Sequence, residues 1–110
     1  MNDKEFIDQV RARPGLFGLQ GSYYPTVMFL VGFDLGRSRG MLSGFTEWLV
    51  MRKGEETSLN WIALVLEEAF PDAGIRHWGS LNEHQEQHAV DCLFSLLHEF
   101  LHEQDESPQS

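Results

Sequence analysis

His98, Glu99 and His102 are the residues whose types and spacing first suggest chemistry. With Phe100 and Leu101 they spell His-Glu-x-x-His, the pattern in which two histidines one turn apart hold a zinc ion and the glutamate activates its water. Taken literally, it describes a metal-dependent hydrolase. The helix that must carry the pattern argues against that reading. At about 100° per residue, with Leu93 set at zero, Leu96, Leu97 and Phe100 fall within about 60°, while His98 lies near 140° and His102 near 180°. The histidines are thus expected opposite the core stripe, facing solvent rather than a cleft. A third ligand would have to come from Glu103, Asp105 or Glu106, in a run expected to fray. The expectation is no catalytic residue, no metal, no cofactor and no enzyme.

The same wheel lines up His84, His88, Asp91, Ser95, His98 and His102 along one polar stripe. Such a stripe is a solvated helix face, or two H-x-x-x-H pairs that hold a surface metal ion weakly, or a second surface for a partner, titrating near neutral pH. His77, beside Trp78, has no neighbour that gives it a role. Cys92 sits at the edge of the apolar stripe and reads as a half-buried structural thiol. As the only cysteine it excludes an intramolecular disulfide and fits a reducing compartment. Gly15, Gly18 and Gly21 mark tight turns but lack the Gly-Lys-Ser/Thr of a phosphate loop. Tyr23, Tyr24, Trp48, Trp61 and Trp78 are residue types common in binding hot spots. Helical spacing already explains Trp48 and Trp61 as core.

The elements that must position these residues are helices. Asn2 or Asp3 caps a first helix carrying Phe6, Ile7 and Val10, which stops before Pro14-Gly15. After the glycine-rich loop, Pro25 suits a first turn, and the run Val27 to Leu35 is apolar except for Gly32 and Asp34. That composition predicts the central buried helix, ended by Gly36 and Gly40. Leu42, Phe45, Trp48 and Leu49 space a third helix ending at Lys53-Gly54, with a β-hairpin around Gly54 as the competing pattern. Thr57, Ser58 or Asn60 caps a fourth helix containing Trp61, Ile62, Leu64, Val65, Leu66, Ala69 and Phe70, closed by Pro71. Asn82 caps the last, from about Glu83 to Glu103, with Ala89, Val90, Leu93, Leu96, Leu97, Phe100 and Leu101 as its apolar stripe. The expected fold is all-α, about five helices around one core. Residues 1–102 are read as a single domain and 103–110 as a flexible acidic tail.

Charge narrows the function further. Seventeen acidic against eight basic side chains in 110 residues give a formal charge of -9, which repels phosphate and argues against nucleic acid as a partner. The imbalance is local: residues 1–40 carry five basic and four acidic side chains, net +1, and residues 41–110 three and thirteen, net -10. Glu55, Glu56, Glu67, Glu68 and Asp72 cluster at the two ends of the fourth helix and are the candidate contacts for a basic protein. No apolar run approaches the ~18 residues of a membrane span, and the first residues lack a signal-peptide pattern. The expected location is the bacterial cytoplasm.

Arg13-Pro14-Gly15-Leu16-Phe17-Gly18, Phe33-Asp34-Leu35, Gly44-Phe45-Thr46-Glu47-Trp48-Leu49, Asn60-Trp61 and Ala69-Phe70-Pro71 together resemble a pattern in small bacterial immunity proteins of toxin–immunity systems, contact-dependent growth inhibition loci included. The resemblance covers roughly residues 5–72 and leaves out the last helix. It implies a small, cytoplasmic, non-enzymatic protein that neutralises a cognate toxin. An acidic member would bind a basic nuclease by covering its active site or substrate surface. The alternative is a small acidic adaptor or regulatory subunit for another basic protein, and the third is the zinc hydrolase of His98 and His102.

Overall fold

The last helix organises the molecule because one broad stripe of its surface, Ala89, Val90, Leu93, Phe94, Leu96, Leu97, Phe100 and Leu101, is buried. The computed structural model describes residues 3–36, 40–57, 59–73, 75 and 78–106, and among these the regular elements are all helical. They are α1 (Asp3–Ala12), α2 (Tyr23–Gly36), α3 (Phe45–Lys53), α4 (Trp61–Ala69) and α5 (Glu83–Glu106), with short 3-10 turns at Pro14–Phe17 and Trp78–Ser80. The fold is one small all-α domain, and α5 packs against each of the other four helices. Ala89, Leu93 and Leu97 are fully buried, and Phe94 and Phe100 nearly so. Each such side chain contributes about 1.5–3 kcal/mol by leaving water. Residues 48–53 are helical, which excludes the β-hairpin.

The start of α5 is a reciprocal capping box. Asn82 Oδ1 accepts from Gln85 N at 2.9 Å while Gln85 Oε1 accepts from Asn82 N at 2.9 Å. Asn60 Oδ1 accepts from Ile62 N and Ala63 N at the head of α4, and Thr46 Oγ1 accepts from Trp61 N. Of the other caps expected from sequence, Asn2 and Ser58 lie outside the described residues. Gly54 ends α3 in the left-handed region, φ 83°, its N–H returning to Val50 O, a conformation costly for residues with a Cβ. The helix of residues 83 to 106 continues three positions beyond the expected end, through the start of the segment read as a tail.

One expectation is corrected. The central helix is α5, not α2. Val27 and Leu30 are buried, yet Tyr24, Met28 and Leu35 are 41%, 41% and 53% exposed, so α2 is apolar all round but covered on one side only. Its inner edge joins a phenylalanine cluster: Phe6 of α1 stacks on Phe33 with ring centroids 3.9 Å apart and planes at 9°, with Phe17 edge-on to Phe6 and Phe29 beside both. Distant polar groups also act at both ends of α2. Glu86 of α5 accepts from Tyr23 N at 3.0 Å, and buried Asp34 accepts from Leu42 N at 2.9 Å, fixing the approach to α3.

Candidate binding surface

The acidic residues expected to meet a partner flank α4, and the structure gives them unequal settings. Helices α3 and α4 run side by side in the same direction, Thr46 meeting Trp61 at their starts and Arg52 meeting Glu68 at their ends. Glu67 and Glu68 lie in the last turn of α4, where the helix dipole disfavours negative charge. Two cations in the last turn of α3 compensate. Arg52 grips Glu68 with both prongs, Nε to Oε2 at 2.9 Å and the terminal nitrogen to Oε1 at 3.0 Å. Lys53 Nζ donates to Glu67 Oε1 and lies 3.8 Å from Glu55. Glu56 and Asp72 are exposed. The five predicted contacts are therefore of two kinds: Glu55, Glu67 and Glu68 are engaged in ion pairs, whereas Glu56 and Asp72 are exposed.

Arg52 is the hub that the sequence did not single out. Besides Glu68 it reaches Glu99 of α5 at 3.4 Å and lies over the Trp48 ring, 5.2 Å from its centroid. Its hydrogen bonds to Glu68 raise the guanidinium further above its ordinary value, so it stays charged. Nearby Cys92 is half-buried, and burial, reinforced by Glu68, pushes its thiol up to about 11. A thiol held protonated is no nucleophile. Burial also raises the Tyr23 phenol, whose O–H donates to Ile62 O at 2.7 Å.

Between α3 and α4 the ion pairs rim a cleft of about 520 Å³. Leu49, Leu64, Phe70 and Pro71 form its apolar surface; Arg52, Lys53, Glu67 and Glu68 form its polar edge. Among the described residues, four carboxylates, Glu55, Glu67, Glu68 and Glu99, pair with those two cations, a surplus of two negative charges within this group.

Along the histidine stripe His84, His88, Asp91, Ser95 and His102 are exposed and His98 is half-buried, and three of the histidines touch neighbouring elements. His88 Nε2 lies 2.9 Å from Ala69 O, and its ring meets Phe70 edge-on, so it closes the end of α4. His98 Nδ1 lies 3.1 Å from Asp8 Oδ1, and His102 Nδ1 lies 3.2 Å from Lys4 Nζ, both against α1. His84 lines a separate polar hollow with Gln20 and Glu86. The expectation that the histidines avoid the core holds, and His98 and His102 touch α1 while remaining accessible to solvent. Their rings are parallel, 6.4 Å apart. Glu99, the third member of the zinc-protease pattern, is drawn to Arg52 on α3, away from the histidine pair. Among the described residues no group of three or more His, Cys, Asp or Glu is arranged to hold a metal ion. His77 lies outside the described residues. Among the described residues no helix is long and apolar enough to cross a membrane.

Comparison with protein-family models, with curated proteins and with solved structures finds no match to this chain.

Proposed function

We propose that this chain is an immunity protein that neutralises a cognate antibacterial toxin, a basic nuclease domain, in the cytoplasm of the cell that makes it. It acts by stoichiometric binding, without catalysis and without a cofactor. The observation that carries the reading is the carboxylate surplus around the α3–α4 cleft, two cations facing Glu55, Glu67, Glu68 and Glu99, with exposed Glu56 and Asp72 nearby. An inhibitor of a nuclease must win a positive cleft from a polyanion, and a localised negative patch does so by competing for the same cations. Charge complementarity also speeds capture, toward ~10⁸ M⁻¹s⁻¹ at low salt.

The test is co-expression of this chain with the toxin gene beside its own, together with pull-down from the native host. A one-to-one complex and restored growth are the expected results. Absence of both would end the reading and leave a regulatory adaptor for another basic protein. Reversing the exposed charges with Glu56→Lys and Asp72→Lys is expected to slow association most at low salt, measured by stopped-flow mixing.

A further inference from the structure

We infer that the outer face of α2 is a pairing surface on which a second copy of this chain docks, α2 against α2. The inference is independent of the reading above, since it uses none of the acidic residues. Tyr24, Met28, Val31 and Gly32 all lie within about 60° of Leu35 on the helix wheel. Met28 is 41% exposed and Leu35 53%. The single charged residue among the fourteen of α2, Asp34, is buried and accepts from Leu42 N. A surface helix ordinarily turns charged side chains outward; the exposed residues of α2 are Tyr24, Pro25, Met28, Gly32, Leu35 and Gly36, none of them charged.

Gly32 points the same way. Glycine inside a helix is destabilising relative to alanine, and a Cβ added at Gly32 would meet no atom within 4 Å. Among the described residues, nothing within one chain calls for the missing side chain. A second helix laid across Met28 and Leu35 does, because the side chains at the contact set how closely two helix axes approach.

Charge and symmetry select a second copy as the occupant. Residues 1–40 carry net +1 and residues 41–110 net -10, so copies that met through their acidic portions would repel each other. The carboxylates paired with Arg52 and Lys53 sit at the ends of α3 and α4, whereas Leu42 and Trp61, by the starts of those helices, border α2. A two-fold pair requires a surface that complements itself, and an apolar, uncharged face does so. Antiparallel α2 helices also set each start beside the partner's end, the favourable arrangement of their dipoles. A hollow of about 300 Å³ lined by Val31, Leu35, Leu42 and Trp61 adjoins the stripe and gives apolar side chains of the second copy room to pack. Since α2 is only about 21 Å long, the contact falls at the small end of specific interfaces, below about 1,200 Å² in total. The dimer is therefore weak and depends on concentration.

The experiment is sedimentation equilibrium of the full chain from about 10 μM to about 1 mM, where a dissociation constant of roughly 10–500 μM is expected. Nitrogen-15 amide shifts over the same range are expected to centre on α2. Met28→Glu and Leu35→Glu bury a carboxylate in the contact and are each expected to weaken pairing at least about tenfold. Met51→Glu, at a position of α3 that is 82% exposed, is expected to leave pairing unchanged. Because each chain carries -9, added salt is expected to strengthen it. Gly32→Ala is expected to raise the melting temperature of the dilute chain by about 2–6 °C while weakening pairing about tenfold. That variant keeps the test decisive if a glutamate variant fails to fold. A chain that stays monomeric at the highest concentration overturns the inference and leaves the face to a different protein. A dimer that survives Met28→Glu and Leu35→Glu, is lost in Met51→Glu, is untouched by Gly32→Ala or weakens with salt overturns it equally.

Discussion

The two halves that α5 joins are held by different forces. On one side α1 and α2 meet through Phe6, Phe17, Phe29 and Phe33, in a segment of nearly balanced charge whose outer face still shows Tyr24, Met28 and Leu35. On the other, α3 and α4 meet at their starts through Phe45 against Trp61 and at their ends through the pairs Arg52–Glu68 and Lys53–Glu67 beside a hollow. Aromatic contact is insensitive to salt and hard to rearrange; ion pairs at a half-exposed rim are screened and exchangeable. The ion-paired ends of α3 and α4 are the part suited to rearrange around a partner, and the aromatic contacts on both sides are suited to stay as they are.

That contrast can be broken most severely at the element both halves share. Leu97→Ala empties a fully buried position of α5 and is expected to lower unfolding free energy by about 2–5 kcal/mol, with tryptophan fluorescence and circular dichroism in urea giving one coincident transition. Separate transitions would show that the halves unfold independently. Phe33→Ala removes the stacked partner of Phe6 and is expected to cost about 2 kcal/mol, since the ring is only partly buried. The same loss in low and high salt would confirm an aromatic origin. Asn82→Ala breaks the capping box of α5 at a cost of about 1 kcal/mol, measured by urea titration. Arg52→Met keeps the apolar stem over Trp48 and is expected to cost only about half a kcal/mol in low salt, shrinking in molar salt. An undiminished loss in high salt would mean that packing, not charge, holds the α3–α4 side.

The finest distinction is made by pH. The Cys92 thiol is raised from 9.0 to about 11, so the folded chain keeps a proton that the unfolded chain releases. The stability this contributes is fully present below pH 9 and is lost as the pH climbs toward 11. The Tyr23 phenol, raised from 10.0, continues the decline above that range. Unfolding free energy measured between pH 8 and about 11 is expected to fall in the natural chain and to be flatter in Cys92→Ala.

Helix existence was legible wherever apolar spacing and a local cap coincide. Asn60 and Asn82 announce α4 and α5, and Gly54 announces the end of α3, because each acts within a few residues of itself. The role of α2 was misread for a general reason. An unbroken apolar run implies burial on all sides only if enough chain remains to cover it, and here α5 takes the centre while the outer side of α2 stays open. The candidate site was half legible. Composition located the acidic cluster, but nothing in the order of residues tells that Arg52 will choose Glu68 and Glu99, or that Asp8 will sit beside His98. Those pairings follow from how whole helices settle against each other. A wheel drawn for α5 alone cannot show that its polar stripe is flanked by α1 and by the end of α4.

The N–H that opens α2 finds its acceptor in Glu86, sixty-three positions later, and α1 finds Ser95 and His98 more than eighty positions later. At roughly 5–20 residues per second on the ribosome, the first two helices spend seconds without the wall they pack on. The part of α2 that packs on α5 is then open to water, and its burial waits for α5.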